Sequence, residues 1–132
     1  MILGLGIDVC AVTRMEKVLT RWGDRFAERI VSPEEWPFIE ARRDRAVAVA
    51  GRFAAKEALA KAMAGARGVG WHEARVMGGG KRPPRFDLVG RAAELCERMG
   101  VQHVHLSLTH DAGVAAAVVV LEGQPTDATW PR

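Results

Sequence analysis

Arg45-Ala46-Val47-Ala48-Val49-Ala50-Gly51-Arg52-Phe53-Ala54-Ala55-Lys56-Glu57-Ala58-Leu59-Ala60-Lys61-Ala62-Met63-Ala64 carries no proline and is dense in alanine, the strongest helix former, and Gly65 follows as a stop signal. The stretch predicts one long helix over residues 45–64. Its small side chains let neighbouring elements come close to its backbone. Glu57 and Lys61 stand four residues apart, which puts a carboxylate and an ammonium on one helical face about a turn from each other. They either pair with each other or flank an anionic ligand, and the spacing alone favours the surface pair.

Toward the N-terminus, Leu3, Leu5, Ile7 and Val9 alternate with Ile2, Gly4, Gly6 and Asp8, the period of a strand. Asp8 therefore shares a face with two glycines, which clear that face so that a ligand or another element can approach the backbone. Taken alone, Asp8 also suits the backbone of the turn that follows. From Thr13, a candidate cap, the period becomes helical, with Met15, Val18, Leu19, Trp22 and Phe26 as an apolar stripe. Arg14, Lys17, Arg21 and Arg25 follow each other by three, four and four residues and form a basic stripe on the opposite side. Ser32-Pro33-Glu34-Glu35 reads as a capping box that opens a short helix through about residue 41.

Beyond the central helix, residues 71–77 read as a strand, Gly78-Gly79-Gly80-Lys81-Arg82-Pro83-Pro84 as a mobile loop and residues 85–89 as a second strand. A helix over residues 91–99 stops at Gly100. Residues 101–109 and 114–121 are β-rich and joined by His110-Asp111-Ala112-Gly113, which suits a tight hairpin connection. The order is a strand, three helices, two strands, a helix and a hairpin, which is an α+β chain. It fits one domain over residues 1–121 with a loose tail over 122–132.

With 48% apolar and 27% charged residues, the composition is that of a compact globular protein, not a disordered or fibrous one. A net charge of +3 is too mild to imply nucleic acid. Cys10 and Cys96 are far apart and outside any CxxC spacing, so neither a disulfide framework nor a structural zinc site is implied, and a reducing cytoplasm fits best. The first residues lack the basic start of a signal peptide, and the longest later apolar run, residues 112–121, is too short to span a bilayer.

Familiar phosphate loops fail. Gly4-Leu5-Gly6 lacks a third glycine, and Gly80-Lys81 is followed by Arg82 rather than Ser or Thr. His103, His105 and His110 have no complementary ligand at a recognised zinc spacing. Ser107, His110 and Asp111 are the residue types of a hydrolase triad, but Leu106-Ser107-Leu108 is not the sharp turn that exposes such a serine. Asp8, together with the helix motif around Glu57 and Lys61, is the more promising set.

Gly6-Ile7-Asp8 followed by Arg14, then Arg52-Phe53-Ala54-Ala55-Lys56-Glu57-Ala58 with Lys61-Ala62, then Leu106-Ser107-Leu108-Thr109-His110 with Ala115 and Ala117, resembles the holo-acyl-carrier-protein synthases. The resemblance runs from Met1 to about Leu121 and takes in Gly68-Val69-Gly70. It departs at Arg82, an additional basic residue where the family commonly has Lys directly before Pro.

The resemblance implies a single-domain 4′-phosphopantetheinyl transferase fold, an antiparallel sheet packed on a long central helix. It implies transfer of 4′-phosphopantetheine from coenzyme A to a serine of apo acyl carrier protein, in fatty-acid or polyketide biosynthesis. Asp8 and Glu57 would hold Mg²⁺, and Lys61 would contact the pyrophosphate. Arg52, Ser107, Thr109 and His110 would help bind coenzyme A. Asp8, Glu57 and Lys61 form the implied catalytic set, in which Glu57 would take the serine proton directly or through a metal-bound water. Arg14, Lys17, Arg21 and Arg25 would dock the acidic carrier, and the chain would work as a homotrimer with sites between subunits. Two other readings predict differently. A non-enzymatic basic module, binding acidic proteins or nucleic acid through the Arg14 stripe and Lys81-Arg82, gives Asp8 and Glu57 no role. A hydrolase using Ser107 and His110 needs no magnesium.

Overall fold

The structure, a computed structural model, describes residues 1–65 and 68–126. The alanine-rich stretch forms helix α4 (Arg45–Ala62), capped by Asp44, whose side chain accepts the Val47 N–H at 3.2 Å. It ends two residues before the expected stop, because Ala64 and Gly65 both take positive φ, 56° and 71°. Buried residues lie all round it, including Ala48, Val49, Ala54, Ala55, Ala58 and Leu59. A helix most of whose buried side chains are alanine lets other elements pack close to its backbone.

Strand β1 (Ile2–Ala11) lies directly on α4. A Cβ on Gly4 or Gly6 would collide with the carbonyl oxygens of Ala62 or Ala58, and one on Gly6 would also come within 2.8 Å of the Ala62 nitrogen. The two glycines are therefore a seam along which strand and helix backbones touch. Residue number falls along α4 as it rises along β1, so the two run antiparallel.

Strands β4 (Val101–Asp111) and β5 (Val114–Gly123) complete an antiparallel sheet of order β1-β5-β4. Register pairs Asp8 with Ala117, and Ala117 with Leu108. Ala115, Ala117, Val119 and Leu121 face α4 and are buried. On the outer face Leu5, Ile7 and Val9 are 64%, 64% and 61% exposed, beside the half-exposed Val118 and Val120.

Before α4, the chain forms α1 (Val12–Trp22), α2 (Asp24–Ile30), a 3₁₀ turn over Pro33–Glu35 and α3 (Trp36–Glu40). Glu35 reaches back to the Ser32 N–H at 2.8 Å as expected, while its own N–H bonds the Ser32 carbonyl oxygen and not the hydroxyl, so half of the capping box is formed. The first helix, expected as one, is two. Gly23 takes φ 61° and ψ −145°, a conformation only glycine adopts readily, and breaks it. Helical periodicity in the side chains runs across the break, which is why the sequence hides it. Thr13 lies inside α1, with Ala11 at the cap position, and Trp22 is exposed.

After α4, a 3₁₀ turn over Trp71–Glu73 takes the start of the expected strand, because Glu73 reaches back to accept the Gly70 N–H at 2.7 Å. Strand β2 (Ala74–Gly79) then pairs with β3 (Arg82–Leu88). The expected loop is mostly hairpin, with Pro83 and Pro84 inside β3. Helix α5 (Gly90–Met99) ends on Gly100 in the left-handed region. Strand β5 continues to Gly123, Gln124 donates its N–H to Gly100 O at 3.0 Å, and Thr126 bonds Arg98 O, so the described part of the expected tail is held. Residues 127–132 of that tail lie outside the described residues. None of the described helices is long and apolar enough to cross a membrane.

Candidate active site

The sheet places Asp8 on the α4 side of β1, two residues past the glycine seam. Lys61, the last residue but one of α4, points back along it and donates to Asp8 Oδ1 at 2.9 Å and to Ile7 O at 3.0 Å. The Asp8 side chain is 18% exposed and that of Lys61 56%, so this pair sits at the mouth of the seam. The Glu57–Lys61 surface pair left open by the spacing does not form; Lys61 bonds Asp8 instead. Glu57 is on the Lys61 flank of α4, one turn nearer Asp8, and also lines a small cavity of about 110 Å³ with Ala60, Val69 and Trp71. Two carboxylates and an ammonium thus occupy one flank, an arrangement able to handle a polyanion only with added positive charge.

A second cluster lies toward the N-terminal half of α4. Arg42, Gly51, Arg52, Arg82, Thr109 and His110 are among the residues lining a cavity of about 380 Å³. Half-buried Arg42, to which the sequence reading gave no role, and exposed Arg82, given one only in the basic-module reading, add positive charge to it. Arg52 is 2% exposed, and one end of its guanidinium donates to Val76 O (3.4 Å) and Gly78 O (3.2 Å). Its Nε is buried without a hydrogen-bond partner, 3.9 Å from Glu35 Oε1. It shapes the cavity wall and braces β2.

Ser107 and Thr109 are on the exposed face of β4, whereas His110 is opposite the buried Ala115. Ser107 and His110 therefore sit on opposite faces of the strand, which removes the hydrolase triad. His103 and His105 share the outer face, where His105 bonds Glu122 at 3.0 Å. Among the described residues no three His, Cys, Asp or Glu side chains gather as a metal group. Cys10 and Cys96 are free and buried, and burial raises both thiols above their usual range.

Arg14, Lys17 and Arg21 stand exposed on α1, with the Arg21 guanidinium over the Trp22 ring at 5.0 Å. Arg25 is exposed too but belongs to α2, beyond the Gly23 break, so the expected stripe of four is three residues and a fourth on a separate helix.

What sequence reasoning missed is a charged group in the core. Glu35 is fully buried and Lys56 is 5% exposed, and Lys56 Nζ meets Glu35 Oε2 at 2.8 Å. Burial pulls the Lys56 ammonium below its usual range, against which Glu35 acts. A lysine in an otherwise alanine-lined, all-round-buried helix was the available signal.

The family model of the 4′-phosphopantetheinyl transferase superfamily matches residues 4–119. A holo-[acyl-carrier-protein] synthase of Anaeromyxobacter sp. (strain K) is 48% identical over 126 residues, covering 93% of this chain and 98% of that protein. The crystal structure of holo-[acyl-carrier-protein] synthase from Neisseria meningitidis superposes with a TM-score of 0.83 at 34% identity, over 92% of this chain and 99% of that one. That of the Helicobacter pylori holo-[acyl-carrier-protein] synthase, in complex with coenzyme A, gives 0.77 at 32% identity over 89% and 99%. The chain belongs to the 4′-phosphopantetheinyl transferase superfamily. Its relatives within it are the single-domain holo-[acyl-carrier-protein] synthases, whose α+β fold it shares.

Proposed function

We propose that the protein transfers the 4′-phosphopantetheine arm of coenzyme A to a serine of apo acyl carrier protein, with Mg²⁺, and releases adenosine 3′,5′-bisphosphate. The observation that carries this reading is the meeting of Asp8 and Lys61 at the mouth of the glycine seam, with Glu57 on the same flank. The donor set fits magnesium, a hard cation usually held by one or two carboxylates and substrate phosphate. Asp8 and Glu57 would hold the ion, which when bound supplies positive charge to the pyrophosphate.

Lys61 has three N–H donors, two of them directed at Asp8 and Ile7, which leaves one for a phosphate oxygen. Glu57 accepts the proton of the carrier serine. The serine Oγ bonds the β-phosphorus as the bond from that phosphorus to the departing bisphosphate breaks, with no covalent link to the protein. The cavity with Arg42, Arg82 and His110 suits the remaining phosphate of the nucleotide, and Arg52 shapes it. Thr109 lines that cavity beside His110, and Ser107, at the same strand end, would act on coenzyme A from the outer face. Arg14, Lys17 and Arg21, with Arg25 beyond the break, present positive charge to an acidic carrier.

Gly51 in the His110 cavity and Lys61 at the seam are about 15 Å apart along α4. One copy thus holds its two anion clusters far apart, and we take them to meet across neighbouring copies of a homotrimer. The exposed Leu5, Ile7 and Val9 support a covered outer face. The reading involves neither nucleic acid nor membrane, and the two free thiols accord with the cytoplasm.

The test is the mass of a panel of apo carriers incubated with the protein, coenzyme A and Mg²⁺. One phosphopantetheine gained by a carrier, and lost with chelator or Asp8→Ala, is the expected result. No gain by any carrier, with folded protein and bound coenzyme A, would sink it for that panel.

A further inference from the structure

Buried ion pairs are rarely worth their desolvation, and well-packed apolar side chains of similar volume often serve stability better. Lys56 and Glu35 therefore call for a reason beyond stability. The Lys56 ammonium has three N–H donors and meets three acceptors on separate segments: Ile30 O at the end of α2 (2.6 Å), Glu35 Oε2 (2.8 Å) and Trp71 O (2.9 Å). Glu35 Oε2 also accepts from Ser32 N (2.8 Å) and Ser32 Oγ (2.9 Å), while Oε1 accepts the Val76 N–H of β2 at 2.9 Å. Arg52, one turn earlier on α4, takes the Val76 carbonyl. Both polar groups of one β2 residue are thus held by this network.

Its location is what matters. Lys56 immediately precedes Glu57, yet a step of 100° around the helix turns its side chain into the core. Its Trp71 partner and Val69 form the wall of the small cavity that Glu57 lines. Down β2, Gly79 lines the His110 cavity. With every N–H occupied by protein, Lys56 has none left for a phosphate.

We infer that Lys56, through Glu35, is a positioning residue of the transfer reaction: it holds the Val69–Trp71 wall and β2 in place beside Glu57 and does not touch coenzyme A. The inference rests on the transferase reading for its kinetic half only. The geometric half is that the ammonium ties the backbone of the wall to α4, beside the stacking of Phe53 on the Trp71 ring at 5.5 Å.

The experiment compares wild type, Lys56→Met, Glu35→Gln and Lys61→Met in transfer kinetics, coenzyme A binding by calorimetry and amide hydrogen exchange. Glu35→Gln keeps the shape and removes the charge, and serves if Lys56→Met does not fold. In the folded core variants, exchange across residues 69–77 should rise while β1 and β5 stay protected. Their kcat should fall tenfold or more, since misplacing a group by about 1 Å can lower a rate 10²-fold. The Kd for coenzyme A should stay within about threefold of wild type, whereas Lys61→Met should weaken it clearly.

Loss of coenzyme A binding in Lys56→Met as severe as in Lys61→Met would make Lys56 a phosphate ligand and overturn the inference. So would unchanged exchange in both core variants, or wild-type kcat despite a loosened wall. A wild type that transfers nothing while the wall loosens as expected would instead sink the transferase reading and the kinetic half with it.

Discussion

Gly6 is the residue on which the approach of β1 to α4 depends most directly. An alanine there would drive its Cβ into the Ala58 carbonyl oxygen, which is backbone inside a helix and has little freedom to yield. Gly6→Ala should destabilise the protein by about 3 kcal/mol or more, read as a drop in the denaturant midpoint, whereas Gly51→Ala, with open space at its Cβ, should be neutral or stabilising. That these glycines share a face with Asp8 was legible in the sequence, because a strand has a period of two. That Lys61 bonds Asp8 was not. The two are 53 residues apart, and only the antiparallel lie of β1 on α4 brings them together. The same is true of Lys56 and Glu35: each belonged to a recognised local motif, and nothing local announces a partner 21 residues away.

Among the elements, the β4–β5 hairpin and the cap of α5 make separate demands. Asp111 pairs with Val114, so Ala112 and Gly113 alone make the turn, with φ 50° and 77°. Two positive values are what a two-residue hairpin turn requires, and alanine is poorly suited to the first of them. Ala112→Asn should therefore stabilise the fold by about 0.5–1 kcal/mol and raise Tm by a few degrees. The hairpin was legible from its Asp and Gly; the strain at Ala112 depends on the register.

Glu73 caps α5 from outside the helix. It accepts the Gly70 N–H and the Arg91 N–H, and the Gly70 bond foremost, with the Arg91 and Ala92 amides, holds its carboxyl below the usual 4.5. A depressed carboxyl contributes stability that is fully present above its unfolded pKa and disappears as pH falls through the folded one. Glu73→Gln should thus cost less than about 1 kcal/mol at pH 7, given its exposure. The gap to wild type should narrow as pH falls below 4.5 in denaturant melts. A gap that widens on acidification would contradict the cap.

At the scale of the whole molecule strand β1 inverts the usual rule. Its glycine and carboxylate face is the one packed on α4, beside the apolar inner face of β5, and its Leu5, Ile7 and Val9 face is open. A period of two tells which residues share a face but not which face turns inward, so the sequence left this undecided. The inversion has a physical reason: only the glycine face can admit a helix backbone at contact distance. The apolar face is then left for something else, and three large side chains more than 60% exposed beside Val118 and Val120 are more than single scattered residues. A second copy of the chain suits it, because the two anion clusters are widely separated in one copy. The protein should therefore size in solution as a multiple of 14.4 kDa, three for a homotrimer. Ile7→Arg puts a charge in the middle of the face without touching α4, so it should shift the mass toward 14.4 kDa while the far-ultraviolet spectrum stays native. Transferase activity should fall with it, and the two losses should track each other as protein concentration is raised. Full activity in an Ile7→Arg variant that sediments as a monomer would show that each copy holds a complete site, and the apolar face would then need another occupant.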